Sequence, residues 1–199
     1  MPTSPPSPAP PHAQALGPLC WSWRPHVRGQ AAEPVARAWL AGQLGYAIGE
    51  LPLTSDPRGR PRLAADGHDC SWSHSGEGLL VVLARGATVG ADCERVHARP
   101  RALALAQRFF TPTEHDWLAG QPAGPARDHA FLRLWCAKEA VLKAHGHGLS
   151  FGLERLRFEN ADAGLRLVEC DPALGAAGDW RLHEFAPAPD YVAALAWRS

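Results

Sequence analysis

The segment that decides the fold is the run FLRLWCAKEAVLKAHGHG at residues 131–148. Apolar residues recur in it at the offsets that gather side chains on one face of an α-helix: Phe131, Leu134, Trp135, Val141 and Leu142. Lys138 does not fit, because at about 100° per residue it falls in the middle of this apolar face. Glu139 lies at the edge of the face, and Lys143 lies one turn beyond Glu139. The pattern predicts a long core helix whose charged residues need an explanation.

Composition excludes several classes of protein. Twenty basic residues balance twenty acidic ones, which argues against a broad positive surface for nucleic acid. The five cysteines are odd in number and form no C-x-x-C pair, which is typical of a reduced cytoplasmic protein without structural zinc. No stretch approaches the roughly 18 apolar residues of a membrane span. We expect a cytoplasmic monomer that binds neither nucleic acid nor membrane, with a disordered, Pro-rich leader at residues 1–16.

Two rounds of helix followed by strands run along the chain. The first has a helix at 34–44 and strands at 69–73, 79–85 and 87–92. The second has three helices: one at 101–110, one that follows the capping-box sequence TPTE (111–114), and one in the opening segment. Strands follow at 156–159, 165–170, 180–185 and 191–197. This order predicts an α+β fold of two similar lobes, residues 17–88 and 89–199, each with a small antiparallel sheet packed with helices.

The segment VGADCER, residues 89–95, carries a pair of acids. In an extended chain, residues two apart point the same way, so Asp92 and Glu94 share one face and Cys93 takes the other. Two adjacent carboxylates are tolerated at a solvated strand end. They are also tolerated around a hard cation such as Mg²⁺, which prefers a few carboxylates together with substrate phosphates. The residues alone leave both interpretations open.

The other polar groups are equally ambiguous by themselves. Glu139 and Lys143 could form a surface ion pair, worth about 0.2–0.5 kcal/mol, or a metal ligand and a phosphate contact. His74 in SWSHSG (71–76) could bind phosphate together with its serine neighbours, or be a turn histidine. Arg60 and Arg62 could be ordinary loop residues. We reject zinc binding by the HGHG sequence (145–148), since no further ligand lies at a usual spacing.

Taken in order, these segments resemble one family. The series G-R-P-R-L, S-H-S-G, V-G-x-D-x-E, R-F-F-x-x-x-E and W-x-x-K-E-A-x-x-K is similar to the motifs of the 4′-phosphopantetheinyl transferases. It most resembles their larger, pseudo-dimeric type, which includes the surfactin synthetase activator. The resemblance extends from about Arg28 to the C-terminus, and it implies two lobes related by a pseudo-two-fold axis with the active site between them.

The resemblance also implies an activity, that of a holo-[acyl-carrier-protein] synthase. Such enzymes transfer the phosphopantetheine arm of coenzyme A (CoA) to a serine of an acyl or peptidyl carrier protein and release adenosine 3′,5′-bisphosphate. By similarity, Asp92, Glu94 and Glu139 would bind Mg²⁺. Glu139, or a water that it orients, would accept the serine proton, and Lys143 would stabilise the departing bisphosphate.

The remaining family positions would contact CoA. Ser73 and His74 would bind a CoA phosphate, and Arg60 would lie beside the adenine and 3′-phosphate, where the family usually has lysine. Lys138 would direct its ammonium toward the pyrophosphate or a nearby carboxylate. Arg28 matches, by spacing, an arginine at the 3′-phosphate.

Departures from the family pattern leave rival functions open. Ala91 replaces the usual Ile or Val, and the N-terminus lacks basic residues that relatives use for the 3′-phosphate. A Mg²⁺-dependent phosphodiesterase acting on CoA-like nucleotides without a carrier could use the same acids. A non-catalytic CoA-binding module is less attractive, because a scaffold gains nothing from clustered like charges.

Overall fold

The computed structural model describes residues 13–199. Most of the predicted leader therefore lies outside the described residues. Its last three residues correct the prediction of disorder, because strand β1 (Gln14–Leu16) pairs antiparallel with β2 (Leu19–Pro25). Gly17, with φ of 56°, begins the two-residue turn between them, a position that favours glycine.

The first half of the chain builds a four-stranded antiparallel sheet in the order β1-β2-β6-β5. Helix α1 (Glu33–Leu44) buries one side against this sheet, and a short hairpin precedes the sheet's last two strands. The further elements are β3 (Leu53–Ser55), β4 (Pro61–Leu63), β5 (His68–Ser75) and β6 (Gly78–Arg85). The predicted helix and the strands predicted at 69–73 and 79–85 are confirmed, with ends that differ by one or two residues. The strand predicted at 87–92 ends three residues later and belongs to the second sheet.

The second half builds a three-stranded antiparallel sheet in the order β10-β11-β7, together with a separate hairpin of β8 and β9. Three helices precede that hairpin in the chain. The elements are β7 (Thr88–Arg95), α2 (Ala102–Phe109), α3 (Pro112–Ala119), α4 (Pro125–His145), β8 (Leu156–Ala161), β9 (Gly164–Cys170), β10 (Arg181–Phe185) and β11 (Tyr191–Arg198). The architecture is α+β, as predicted.

Helix α4 is the longest helix, as predicted, but its bounds differ from the opening segment. It begins at Pro125, where proline suits the first turn, and ends at His145. Gly146 caps it in the left-handed region, with φ of 92°. The predicted capping box of α3 is confirmed, since Thr111 and Glu114 exchange side-chain and backbone hydrogen bonds.

Two edge strands bring the halves together. β5 is the edge of the first sheet and β7 is the edge of the second. Alternating polar side chains of β5 donate to or accept from β7: the Asp69 carboxylate accepts from the amide of Val89, and the Ser71 hydroxyl accepts from that of Ala91. These bonds satisfy amides that a further strand would otherwise pair.

Helix α4 packs at very short range on the face of β7 that carries Gly90. A Cβ added to Gly90 would lie 1.9 Å from the carbonyl oxygen of Ala140 and 2.5 Å from the amide nitrogen of Ala144. Glycine is therefore required for the helix to approach the strand this closely. Among residues 13–199, no helix combines the length and the apolar character needed to cross a bilayer.

Candidate active site

The contact between β7 and α4 places the predicted acids on one surface. Side chains alternate along a strand, so Asp92 and Glu94 share the face of Gly90, which packs on α4. Cys93 points the other way into an apolar cluster between the two sheets. Glu139 and Lys143 lie one helical turn apart on α4, next to the two helix residues that contact Gly90. The two predicted acidic segments therefore lie on elements that pack against each other.

Lys143 and Ser73 both hold the same oxygen of Asp92. The Lys143 ammonium donates to Asp92 Oδ1 at 2.6 Å and to Ser73 Oγ at 3.0 Å, and the Ser73 hydroxyl donates to Asp92 Oδ1 at 2.7 Å. Burial lowers the pKa of Lys143, but the Asp92 carboxylate outweighs it, so the net pKa is raised. Lys143 thus stays protonated and presents its charge at the carboxylates.

Two carboxyl groups here have raised pKa values. Burial, and then the charge of Asp92, raises the pKa of Glu139 to about 7. The same two causes raise the pKa of Glu94, although Ser75 and Arg99 each donate to its Oε2, at 3.0 and 3.1 Å. A surplus of negative charge in a shielded place is the physical origin of both shifts.

The donor set suits a hard cation. Asp92 Oδ2 is buried and has no hydrogen-bond partner, so one carboxylate oxygen is left for a ligand at the centre of the acidic surface. All three acids offer the oxygen ligands that Mg²⁺ prefers. Within residues 13–199, however, no three His, Cys, Asp or Glu side chains converge closely enough to hold a metal ion. The metal-binding role of the three acids remains a prediction.

A cavity of about 300 Å³ opens beside this surface. Glu139 and Lys143 of α4 form one wall, and Ser71 and Trp72 of β5 form another. The glycine-rich end of α4 and the loop before β4 complete the lining. The volume is at the lower end of the range for small-molecule sites, and polar groups meet at one side of it, as in binding pockets.

His74 lies at the exposed end of β5 beyond Ser73. Its ring stacks on that of His26, with 4.4 Å between the ring centroids, and the His26 side chain is buried. Burial, and then His26, lowers the pKa of His74, which favours the neutral ring. His26 was not predicted to have a role, because the sequence PHVR around it shows no pattern.

Arg60 lines the cavity, whereas Arg28 lies in an exposed loop. Arg60 is 8% exposed and donates to the carbonyl oxygen of Lys143 at 2.8 Å and to Asp69 at 2.7 Å. Its Nε and Nη2 bind protein atoms, and Arg60 also lines the cavity, so its predicted contact with CoA stays a prediction. Arg28 is exposed in the loop after β2, and none of its predicted contacts can be tested without a ligand.

The predicted contact of Lys138 with the pyrophosphate is also corrected. Lys138 is 0% exposed, and its ammonium lies 2.8 Å from Glu114 and donates to the carbonyl oxygens of Leu153 and Leu156. Burial lowers the pKa of Lys138 to about 8, against the opposing effect of Glu114. The alternative that the ammonium meets a nearby carboxylate is confirmed, and Lys138 is a structural residue on the side of α4 away from the cavity.

Comparison with known proteins identifies the class. The family model of the 4′-phosphopantetheinyl transferase superfamily matches residues 88–196. A Synechocystis protein named for this activity is 34% identical over 170 residues, covering 81% of this chain and 68% of that protein. The 4′-phosphopantetheinyl transferase HetI of Nostoc is 32% identical over 174 residues, covering 85% and 70%. AcpT of Salmonella typhi, named for the same activity, is 34% identical over 125 residues, covering 59% and 63%.

The chain therefore belongs to the 4′-phosphopantetheinyl transferase superfamily, as its motifs predicted. Its matched region contains β7 and α4, the two elements that carry the acids and Lys143. It is an enzyme of the transferase class, in a family whose donor substrate is CoA.

Proposed function

We propose that this protein transfers 4′-phosphopantetheine from CoA to a serine of an acyl or peptidyl carrier protein, with Mg²⁺, and releases adenosine 3′,5′-bisphosphate. The observation that carries the proposal is the ion pair of Lys143 with Asp92 at 2.6 Å beside the Gly90 contact, with Glu139 one turn before Lys143 on α4 and within range of the Asp92 charge. Like-charged acids beside a cavity are intelligible when a cation and a diphosphate share the space.

Each side chain has a distinct proposed role. Asp92, Glu94 and Glu139 would hold Mg²⁺, which when bound neutralises charge on the phosphates. Glu139, directly or through a water, accepts the proton of the carrier serine. The protonated Lys143 stabilises the departing bisphosphate, and Ser73 and His74 bind a CoA phosphate. We keep Arg28 as a proposed contact of the 3′-phosphate.

The finer features of the family type are proposals as well. A sheet packed by one long helix in each half, α1 and α4, supports two lobes divided near residue 88 and related by a pseudo-two-fold axis. This is the arrangement of the larger type that resembles the surfactin synthetase activator. We also propose that the protein is a cytoplasmic monomer.

The test is a transfer reaction read by mass. The protein is incubated with CoA, Mg²⁺ and a panel of apo carrier domains, and the phosphopantetheine mass increment is sought on each carrier. A carrier with its acceptor serine replaced by alanine is the matched control. Modification of at least one carrier, and none of its control, supports the proposal. Hydrolysis of CoA at the same rate with and without carrier would instead identify a phosphodiesterase.

A further inference from the structure

Asp92 gives one carboxylate oxygen to protein donors and keeps the other. Ser73 of β5 and the Lys143 ammonium both donate to its Oδ1, at 2.7 and 2.6 Å. Its Oδ2 is buried and has no hydrogen-bond partner within residues 13–199. Two donors on one oxygen restrict the rotation of a carboxylate, so the second oxygen keeps its direction and stays available to a ligand.

Glu94 is held in the same manner, two residues further along β7. The Ser75 hydroxyl and Arg99 Nη2 both donate to its Oε2, at 3.0 and 3.1 Å, and neither of these hydrogen bonds uses Oε1. The side chains of Glu94 and Arg99 are 25% and 26% exposed, so the carboxylate is only partly shielded from water. Glu94 therefore also has one oxygen that these two donors leave free.

Ser75 is fixed at both ends of its hydroxyl group. Its Oγ accepts the backbone amide of Arg95 at 3.1 Å and donates to Glu94. A hydroxyl carries a single proton, and the amide occupies the acceptor side, so the proton is directed to the carboxylate. Ser75 thus ties the Glu94 side chain to the backbone of β7. Arg99 reaches the same oxygen on a long side chain, which loses more rotamer freedom when it is held.

We propose that Ser75 is a positioning residue for Glu94, whose Oε2 it holds so that Oε1 is left for a divalent cation. This inference rests on the proposed function, because the cation would be the Mg²⁺ of the three acids. Donors that hold a carboxylate ligand typically contribute about 10- to 100-fold to metal affinity. Threonine at position 75 would keep the hydroxyl, whereas valine has nearly the same shape without it, and both suit a strand.

The first test measures metal binding without turnover. Mn²⁺ is the probe, and electron paramagnetic resonance of the free ion gives its Kd on the full chain without carrier, first alone and then with CoA. We expect the Kd of Ser75→Val to exceed that of Ser75→Thr by at least about 10-fold, with Ser75→Thr within about threefold of the wild type. The matched control is Thr54→Val, which removes a hydroxyl at an exposed position of β3 and should change Kd less than about twofold.

A second measurement follows the metal through the reaction. The Mg²⁺ concentration that gives half-maximal transfer should rise at least about 10-fold in Ser75→Val, and kcat at saturating Mg²⁺ should return to within about threefold of the wild type. A variant that had only a weakened fold would lose rate at every Mg²⁺ concentration. Circular dichroism checks that each variant is folded. If Ser75→Val does not fold, Ser75→Ala, which is smaller and also lacks the hydroxyl, replaces it.

The outcomes separate this inference from the proposed function. Equal Mn²⁺ affinities of Ser75→Val and Ser75→Thr would overturn the role of Ser75 even if the wild type modifies carriers, and so would a loss of rate that added Mg²⁺ does not restore. If the wild type binds Mn²⁺ but modifies no carrier, the proposed function fails, and the Mn²⁺ affinities alone decide the role of Ser75. A wild type that binds no Mn²⁺, with or without CoA, would overturn the metal site and this inference together.

Discussion

Replacement of Gly90 by alanine tests the contact on which the site depends. The added Cβ would lie 1.9 Å from the Ala140 carbonyl oxygen, and these atoms normally approach to about 3.5 Å. Because the obstructing atoms belong to the backbone of α4, no side-chain rotation can relieve the overlap. The helix must retreat from β7 by roughly 1.6 Å, the difference between the two distances.

This retreat has two measurable consequences. Overpacking of a core contact costs about 1–3 kcal/mol, which lowers Tm by roughly 3–10 °C in a chain of this size. The Lys143 ammonium, now 2.6 Å from Asp92, would move to about 4 Å, beyond hydrogen-bonding range. We expect kcat for carrier modification to fall about 10²-fold, since positioning errors of about 1 Å have effects of that size.

The assay pairs thermal unfolding followed by circular dichroism with mass-based transfer kinetics. Gly42→Ala is the matched control, because Gly42 lies exposed in α1, has nothing within 4 Å of the added Cβ and adopts an ordinary helical φ. It should keep full activity and gain up to about 1 kcal/mol of stability. A Gly90→Ala protein with the Tm and kcat of the wild type would refute the close-contact argument.

Further predictions concern the acids and the buried lysine. Glu139→Gln should abolish transfer yet leave CoA binding, measured by calorimetry, mostly intact. Asp92→Ala should lose both activity and its response to added Mg²⁺. Near-normal turnover in either variant would contradict the assignment of these acids. Lys138→Met should lower the free energy of unfolding in urea by about 3–5 kcal/mol, because it leaves the Glu114 carboxylate buried without its cation. Adding Glu114→Gln should recover part of this loss, whereas simple additivity would exclude the coupling. Between about pH 8 and 10.4 the lysine at position 138 is protonated in the unfolded chain but has lost its proton in the folded one. The free energy of unfolding of the wild type should therefore rise with pH relative to that of Lys138→Met. A constant difference between the two free energies across this range would contradict the lowered pKa.

Periodicity predicted most elements because it reports which side chains are buried locally. The start of α4 was missed for the same reason. The segment PARDHA at 125–130 has few apolar residues, so its helical character shows only in the proline at the first turn. The strand at Gln14–Leu16 was missed because its stability comes from pairing with β2, a partner that a Pro-rich composition does not reveal.

The site was predicted as a set of residue types, but their partners were not. Serines alternate along β5 at positions 71, 73 and 75, a pattern readable in the sequence. The groups that these serines bind cannot be predicted from the sequence, because the contacts depend on the edge of β5 lying against the edge of β7. Ser75 and Arg99, which bind Glu94, follow from that contact and from the loop after β7. The inward direction of Arg60 depends in the same way on where α4 ends.

Lys138 lies in the apolar stripe because α4 packs against two different regions, Glu114 with β8 on one side and β7 on the other. Lys138 is bonded to Glu114 and to the start of β8, while Glu139, the next residue and about 100° around the helix, faces β7. The contacts of Lys138 with Glu114 and β8 fix the rotation of α4 about its axis, and this rotation sets the direction of Glu139. At a side-chain radius of about 5–6 Å, a rotation of roughly 10° moves a carboxylate by about 1 Å. Since that error can lower a rate by about 10²-fold, we expect Lys138→Met to lose more activity at low temperature than its folded fraction accounts for.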